Sequence, residues 1–209
     1  MCTRFYAALS PELRPYIEAA RKMNIANEMM KHFARPAKMT GEIRPTEMAS
    51  VIAPNKFGKC DVFPMIWGFY EKKLNRPLVN FRVETANIKP IWSDSWKQRR
   101  CVIPASYYYE WEHYADINGK IKIGEKYIIQ PSGSDVTYLA GLYRIEEIQN
   151  FKYPVFAVLT REPTDELRQI HNRMPLILPE TSIEEWINPE GNPDNVLKTA
   201  VTDLIVEKA

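Results

Sequence analysis

Arg99-Arg100-Cys101-Val102-Ile103-Pro104-Ala105-Ser106-Tyr107-Tyr108-Tyr109-Glu110-Trp111 contains two short runs, 100–103 and 107–111, rich in β-branched and aromatic residues and parted by a Pro-Ala-Ser break. Runs of this length and texture read as strands. The same texture recurs at 62–69, 127–130, 136–145, 153–160 and 174–178, with a terminal strand expected near 202–206. Helical spacing is confined to the ends. Ser10-Pro11-Glu12 reads as an N-cap, a first-turn proline and an early acid, with Leu13, Ile17 and Ala20 behind it, so a helix is expected over about 11–21. Ile25, Met29, Met30 and Phe33 predict a second helix that ends before Pro36, and 36–60 reads as loop. Thr164-Asp165-Glu166 opens a short helix, Ser182-Ile183-Glu184-Glu185 has the form of a capping box, and Pro193-Asp194 starts one more. Pro131-Ser132-Gly133-Ser134-Asp135 has hairpin-loop composition. Strands do not alternate with helices of ten to fifteen residues, which disfavours a doubly wound parallel sheet. The expected fold is α+β: a mostly antiparallel, barrel-like sheet core with several peripheral helices, forming a single domain over residues 1–209.

Composition narrows the functions. With 209 residues and 45% hydrophobic content the chain can bury a sizeable core, and a formal charge of +2 confines any basic surface to one region. Cys2, Cys60 and Cys101 make no CxxC pair, and the histidines are His32, His113 and His171 only. No metal site and no cofactor are therefore expected, and the odd thiol count fits a reducing compartment. A cytoplasmic monomer is expected, nucleoid-associated if bacterial. No run reaches the ~18 apolar residues of a membrane span, and GxGxxG, Walker A and HExxH are all absent from the sequence.

Four groups of residues carry chemistry. Cys2, once Met1 is removed, joins an α-amine and a thiol on adjacent carbons, a pair suited to condensing with an aldehyde and closing a thiazolidine. Asn80, Arg82 and Glu84 alternate with apolar residues and are expected on one face of a strand. Glu110 is a carboxylate among three tyrosines and a tryptophan, where desolvation raises its pKa toward useful proton transfer. His171 sits in Ile170-His171-Asn172-Arg173-Met174-Pro175, between a short helix and a proline-marked strand, while His32 reads as a helix-terminal residue and His113 as part of a polar loop. Arg44-Pro45-Thr46 with Trp67-Gly68 offers a phosphate contact and an aromatic surface, although a tryptophan in a strand run is more often core.

Taken together these motifs resemble the SRAP family, whose members process abasic sites in single-stranded DNA. The resemblance is carried by Met1-Cys2-x-Arg4-Phe5, Arg44-Pro45-Thr46, Trp67-Gly68, Asn80-x-Arg82-x-Glu84-Thr85, Arg99 to Trp111, Ala140-Gly141-Leu142-Tyr143, Thr160 and Ile170-His171-x-Arg173-Met174-Pro175, in family order over residues 1 to about 178. It implies loss of Met1, attack of the Cys2 amine on the open-chain aldehyde, and closure by the thiol to a covalent DNA–protein thiazolidine. It assigns Asn80 to orient Cys2 and hold the sugar, Glu110 to shuttle protons, and His171 to act at the ring oxygen and in reversal. Arg4, Arg82 and Arg173 would contact phosphates, with Trp67 and Trp111 against bases, the usual division of single-strand binding. Arg44, Pro45, Thr46 and Thr160 complete the implied DNA contacts. The expected partner is single-stranded DNA containing abasic sites, and AP lyase activity and autoproteolytic removal of Met1 are implied as well.

Two other readings use the same residues. A cysteine hydrolase or peptidase would combine Cys2 and His171 with Glu110 or Asn80, and a non-catalytic single-strand binder would leave Cys2 without a role. The chain also departs from the family pattern: Thr3 stands where glycine is common, and Tyr107-Tyr108 where a glycine-phenylalanine pair is common. A β-branched Thr3 would be costly if the site required positive φ there.

Overall fold

The computed structural model describes residues 2–209. The first part of the chain forms β1 (Arg4–Ala7), α1 (Arg14–Lys22), α2 (Asn24–Phe33), β2 (Gly41–Ile43), β3 (Met48–Pro54) and β4 (Cys60–Trp67). A small hairpin of β5 (Phe69–Glu71) and β6 (Arg76–Leu78) leads to β7 (Asn80–Arg82), α3 (Val83–Ala86) and α4 (Pro90–Gln98). Four long strands follow, β8 (Arg100–Ala105), β9 (Tyr107–Ala115), β10 (Ile121–Pro131) and β11 (Thr137–Ile148), then β12 (Phe151–Arg161) and α5 (Asp165–Arg168). The chain ends with β13 (Met174–Pro175), β14 (Ile177–Leu178), α6 (Ile183–Ile187), α7 (Pro193–Lys198) and β15 (Leu204–Lys208).

Strands β12, β4, β3, β8 and β11 pair in that order, and β11 pairs back onto β12, so five strands close into a barrel. All its pairings are antiparallel except β12 with β4, where Val155 meets Ile66. Strand β7 lies parallel on β12, with Asn80 opposite Val158 and Arg82 opposite Thr160. A second, wholly antiparallel sheet runs β15-β10-β9-β1-β2.

The barrel strands are apolar on both faces, and alternation assigns each side chain to one of two cores. Ala49, Val51, Cys101, Ile103, Leu139, Phe156 and Val158 pack with Phe5, Tyr108 and Ile129 of the second sheet. Their neighbours Met48, Ile52, Val102, Ala140, Val155 and Ala157 pack under the helices, against Ile17, Met29, Trp92, Trp96 and Trp186. The barrel therefore stands between a helical layer and the second sheet.

Several expectations need correcting. The stretch 36–60 contains β2 and β3; Pro45 and Pro54 flank a short run, Met48 to Ala53, that is apolar but for Ser50 and buried at six successive positions. Glu84 is not on a strand, because the chain turns into α3 after Arg82. The 131–135 loop crosses from the second sheet to the barrel and is no hairpin, since β10 and β11 have different partners. Ser182 makes no cap; its hydroxyl meets Thr199 Oγ1 at 3.0 Å. His113 belongs to β9, which runs past Trp111 to Ala115. The α5 start is as expected, with Thr164 Oγ1 accepting from the Leu167 amide.

Candidate active site

The site forms where β1 joins the second sheet. Arg4 pairs with Tyr109 and Phe5 with Tyr108, so the segment leading into β1 lies alongside the stretch of β9 that carries Glu110. Cys2 is fully buried, and its thiol donates to the Arg4 carbonyl at 3.6 Å. Asn80, at the start of β7, donates from Nδ2 to the Cys2 carbonyl at 2.6 Å. That bond ties the chain start to the barrel strand β12 through β7. Among the described residues, Asn80 Oδ1 is buried without a hydrogen-bond partner. Expectations that concern Met1 fall outside the described residues.

Electrostatics follow from this burial. Desolvation pushes the Cys2 thiol far above its ordinary range, and the neighbouring Glu110 carboxyl adds to the effect. Glu110 itself is raised, first by burial. Both groups are thus biased toward their protonated, neutral forms. His171 is depressed to about 4, by burial foremost and with His113 contributing. Its Nδ1 accepts from the Arg173 amide at 3.0 Å, which leaves the imidazole proton on Nε2 and turns that edge into a donor. The rings of His113 and His171 lie 4.6 Å apart, and the His113 amide donates to Ile170 O at 2.8 Å. The strand that carries Glu110 therefore also holds the His171 loop.

The proposed DNA contacts separate into groups. Arg82 is exposed beside Asn80. Arg4 lies over Trp111 at 5.1 Å and meets Glu42 at 3.3 Å, and Arg44 meets the same carboxylate at 2.7 Å. Arg173 is no surface cation: it is buried, donates bidentately to Glu84 at 2.8 Å twice, and reaches Thr160 O at 2.7 Å. Trp67 has no exposed face; its indole donates to Val79 O at 2.9 Å and it stacks on Phe156, so it is core. Thr160 is likewise buried, its hydroxyl donating to Phe81 O at 3.1 Å. Arg44, Pro45 and Thr46 line a separate cavity of about 1110 Å³ beside Phe33 and Tyr153. Thr46 takes φ 70° there.

Two residues at the site escaped the sequence reading. Tyr108 is buried in the same cluster as Cys2, and His113 is the ring neighbour of His171. Tyr108 was visible as one of three tyrosines and as a departure from the family's phenylalanine, and alternation along β9 was the signal that would have turned it inward. Thr3 is exposed and takes no positive φ, so the backbone here needs no glycine.

The fold and site define a class: a closed barrel flanked by a second sheet, with a cysteine at the chain start set against asparagine, glutamate and histidine. The chain matches the family model "SOS response associated peptidase (SRAP)" over residues 1–207, and it belongs to that family. The abasic site processing protein YoaM of Bacillus subtilis is 30% identical over 152 residues, covering 69% of this chain and 62% of the relative. The abasic site processing protein YedK of Escherichia coli is 26% identical over 128 residues, covering 61% and 55%. The chain's matches thus span less than two thirds of either relative's length. A crystal structure of a Bacteroides thetaiotaomicron protein superposes with a TM-score of 0.74 at 16% identity, covering 99% of this chain and 91% of that one. A phage-related protein of Bordetella bronchiseptica gives 0.68 at 20%, covering 100% and 94%. These likenesses establish the α+β barrel fold.

Proposed function

We propose that this protein processes abasic sites in single-stranded DNA by forming a covalent thiazolidine through Cys2 after loss of Met1. The observation that carries the reading is the clamp on Cys2: its carbonyl is held by Asn80 at 2.6 Å while its thiol is buried in reach of the Glu110 field. The names of the curated relatives support it.

The order of chemistry follows from the protonation states. The freed Cys2 amine attacks the open-chain aldehyde carbon and gives a carbinolamine. Glu110, neutral through burial, protonates the departing hydroxyl, which leaves as water from the imine. The carboxylate so formed takes the proton of the buried thiol as Sγ bonds to the imine carbon, and the nitrogen is left as the ring N–H. The balance is aldehyde plus aminothiol giving thiazolidine plus water. His171, with its proton on Nε2, donates a hydrogen bond to the sugar ring oxygen during opening and closing. Release of the imine by β-elimination would give lyase activity from the same intermediate. A thiol hydrolase has less support, because burial holds the Cys2 thiol neutral and thiolate chemistry needs the opposite shift.

The test is incubation with single-stranded DNA bearing one abasic site, followed by denaturing electrophoresis and intact mass. The expected result is an adduct lighter than the sum of its parts by one water, absent in Cys2→Ala and absent when a residue is retained ahead of Cys2. No adduct from protein shown by mass to lack Met1 overturns the reading.

A further inference from the structure

Tyr6, Tyr107, Tyr109 and Trp111 belong to neither of the two apolar cores. Strand pairing explains why. Tyr6 lies opposite Tyr107 and Arg4 opposite Tyr109, so these side chains leave the second sheet on the face turned away from Phe5 and Tyr108. Glu42, opposite Tyr6, and Lys126, opposite Trp111, stand on that same face. A row of rings runs along it: Tyr6 and Tyr107 stack across the strands with centroids 5.1 Å apart and planes within 8°, Tyr107 meets Tyr109 edge-on at 5.3 Å, and Tyr109 lies 6.4 Å from Trp111. Cations border the row, Arg4 at 5.1 Å from the Trp111 centroid and Lys126 at 3.5 Å from that of Tyr109. Arg4, Arg44 and Lys126 share the Glu42 carboxylate at 3.3, 2.7 and 3.7 Å, so this cluster keeps an excess of positive charge. Cross-strand aromatic pairs do stabilise a sheet. Sheet stability alone, however, asks for a polar outward face and for no cations over the rings.

We propose that the Tyr6–Tyr107 pair is a base-stacking subsite for single-stranded DNA, set beyond Trp111 on the path that leads away from Cys2. The row starts at the site, since Arg4 is two residues after Cys2 and Trp111 follows Glu110. From Trp111 to Tyr107 the strand covers about 13 Å at ~3.3 Å per residue, room for a few nucleotides. Rings flanked by cations are what a single strand requires, stacking for its bases and charge for its phosphates. A glycine at 107, common in the family, would end the row at Tyr109, so the Tyr107 ring lengthens the track in this chain. The inference rests on the single-strand part of the proposed function and not on the covalent step.

The test compares Tyr107→Thr, which removes the ring and keeps a strand-forming residue, with Tyr107→Phe, which keeps the ring. Affinity is measured by fluorescence anisotropy for an unmodified strand of about 12 nucleotides and, by competition, for one of about 4, a length that spans the Cys2 site without filling the row. Tyr107→Thr is expected to melt within a few degrees of the parent, to bind the longer strand roughly fivefold to a hundredfold more weakly, and to bind the shorter strand as the parent does. Tyr107→Phe should match the parent on both, and Tyr6→Thr should repeat the length-dependent loss. Binding of the longer strand by Tyr107→Thr within twofold of the parent overturns the proposal, as does an equal loss on both lengths, which marks a structural role, or an equal loss in Tyr107→Phe, which marks the hydroxyl. A parent that retains neither strand ends the single-strand reading and this inference with it; a parent that binds the longer strand no better than Tyr107→Thr does sinks this inference alone.

Discussion

Glu110 combines two properties that a proton shuttle needs: it is 4% exposed and its carboxyl is raised by desolvation. Its acid form is lost as pH rises through that raised value, so imine formation should slow with increasing pH over the same window. Glu110→Gln should cut the rate by about 10²- to 10³-fold and flatten this limb, measured by single-turnover adduct formation between pH 5 and 8. Stability carries the same signature. A raised carboxyl binds its proton more tightly folded than unfolded, so its contribution is complete below the unfolded value and declines as pH rises through the folded one. The melting temperature of Glu110→Gln should therefore gain on the parent between pH 4 and 8. This residue was legible in sequence because a lone carboxylate among aromatics is a statement about its surroundings. His113 was not, hidden by polar neighbours that belong to a strand.

Arg100 shows what an element requires of one side chain. Its guanidinium is buried at the start of β8 and donates to Trp96 O at 2.7 Å, Trp186 O at 2.6 Å, Gly191 O at 3.1 Å and also Asn188 O. These carbonyls lie at and beyond the ends of α4 and α6, where helix carbonyls lack intrahelical partners and favour a cation. One side chain thus pins both helices to the barrel. Arg100→Ala should leave those carbonyls unsatisfied and open a cavity beside Trp186, costing about 3–5 kcal/mol and lowering the melting temperature by roughly 6–15 °C in calorimetry. Adduct chemistry in the folded fraction should survive, because Arg100 belongs to the helical side of the barrel. Nothing in the local pattern at 99–101 announced this role, because besides the nearby Trp96 its partners Trp186, Asn188 and Gly191 lie far along the chain. Glu84 is a similar case: its alternation with Asn80 and Arg82 suggested a strand, but the chain is helical at Glu84 itself and its bidentate partner Arg173 is 89 positions away.

At the scale of the whole molecule, the strand runs were legible because strands buried on both faces are nearly continuously apolar, as β8 is after Arg100, with all six positions buried. A barrel-like core was expected and is present, but the strand order that closes it was not legible, because it depends on β11 returning to β12 and on a parallel contact between β12 and β4, pairings that no local pattern specifies. The same separation applies to charge. A formal total of +2 gives only the sum of the charges, and the folded molecule shows which cations remain available. Arg4 and Arg44 share Glu42, and Arg173 is committed to Glu84, whereas Arg82 is exposed and makes no ion pair among the described residues. Arg82, beside Asn80 and Cys2, is thus the cation best placed to meet a phosphate flanking the modified sugar. Each phosphate contact to a single strand adds about 0.7 to the slope of log affinity against log salt. Arg82→Ala should reduce the measured slope by about that amount, weaken retention most at low salt, and leave the melting temperature within a degree or two. Arg173→Ala should show the reverse, a lowered melting temperature from the lost packing and hydrogen bonds of a buried guanidinium to Glu84 and Thr160 O, and a salt slope in the folded protein close to that of the parent. Fluorescence anisotropy of a labelled oligonucleotide from 50 to 300 mM salt, alongside thermal melts, separates the two; equal slopes for Arg82→Ala and the parent would remove Arg82 from the DNA path.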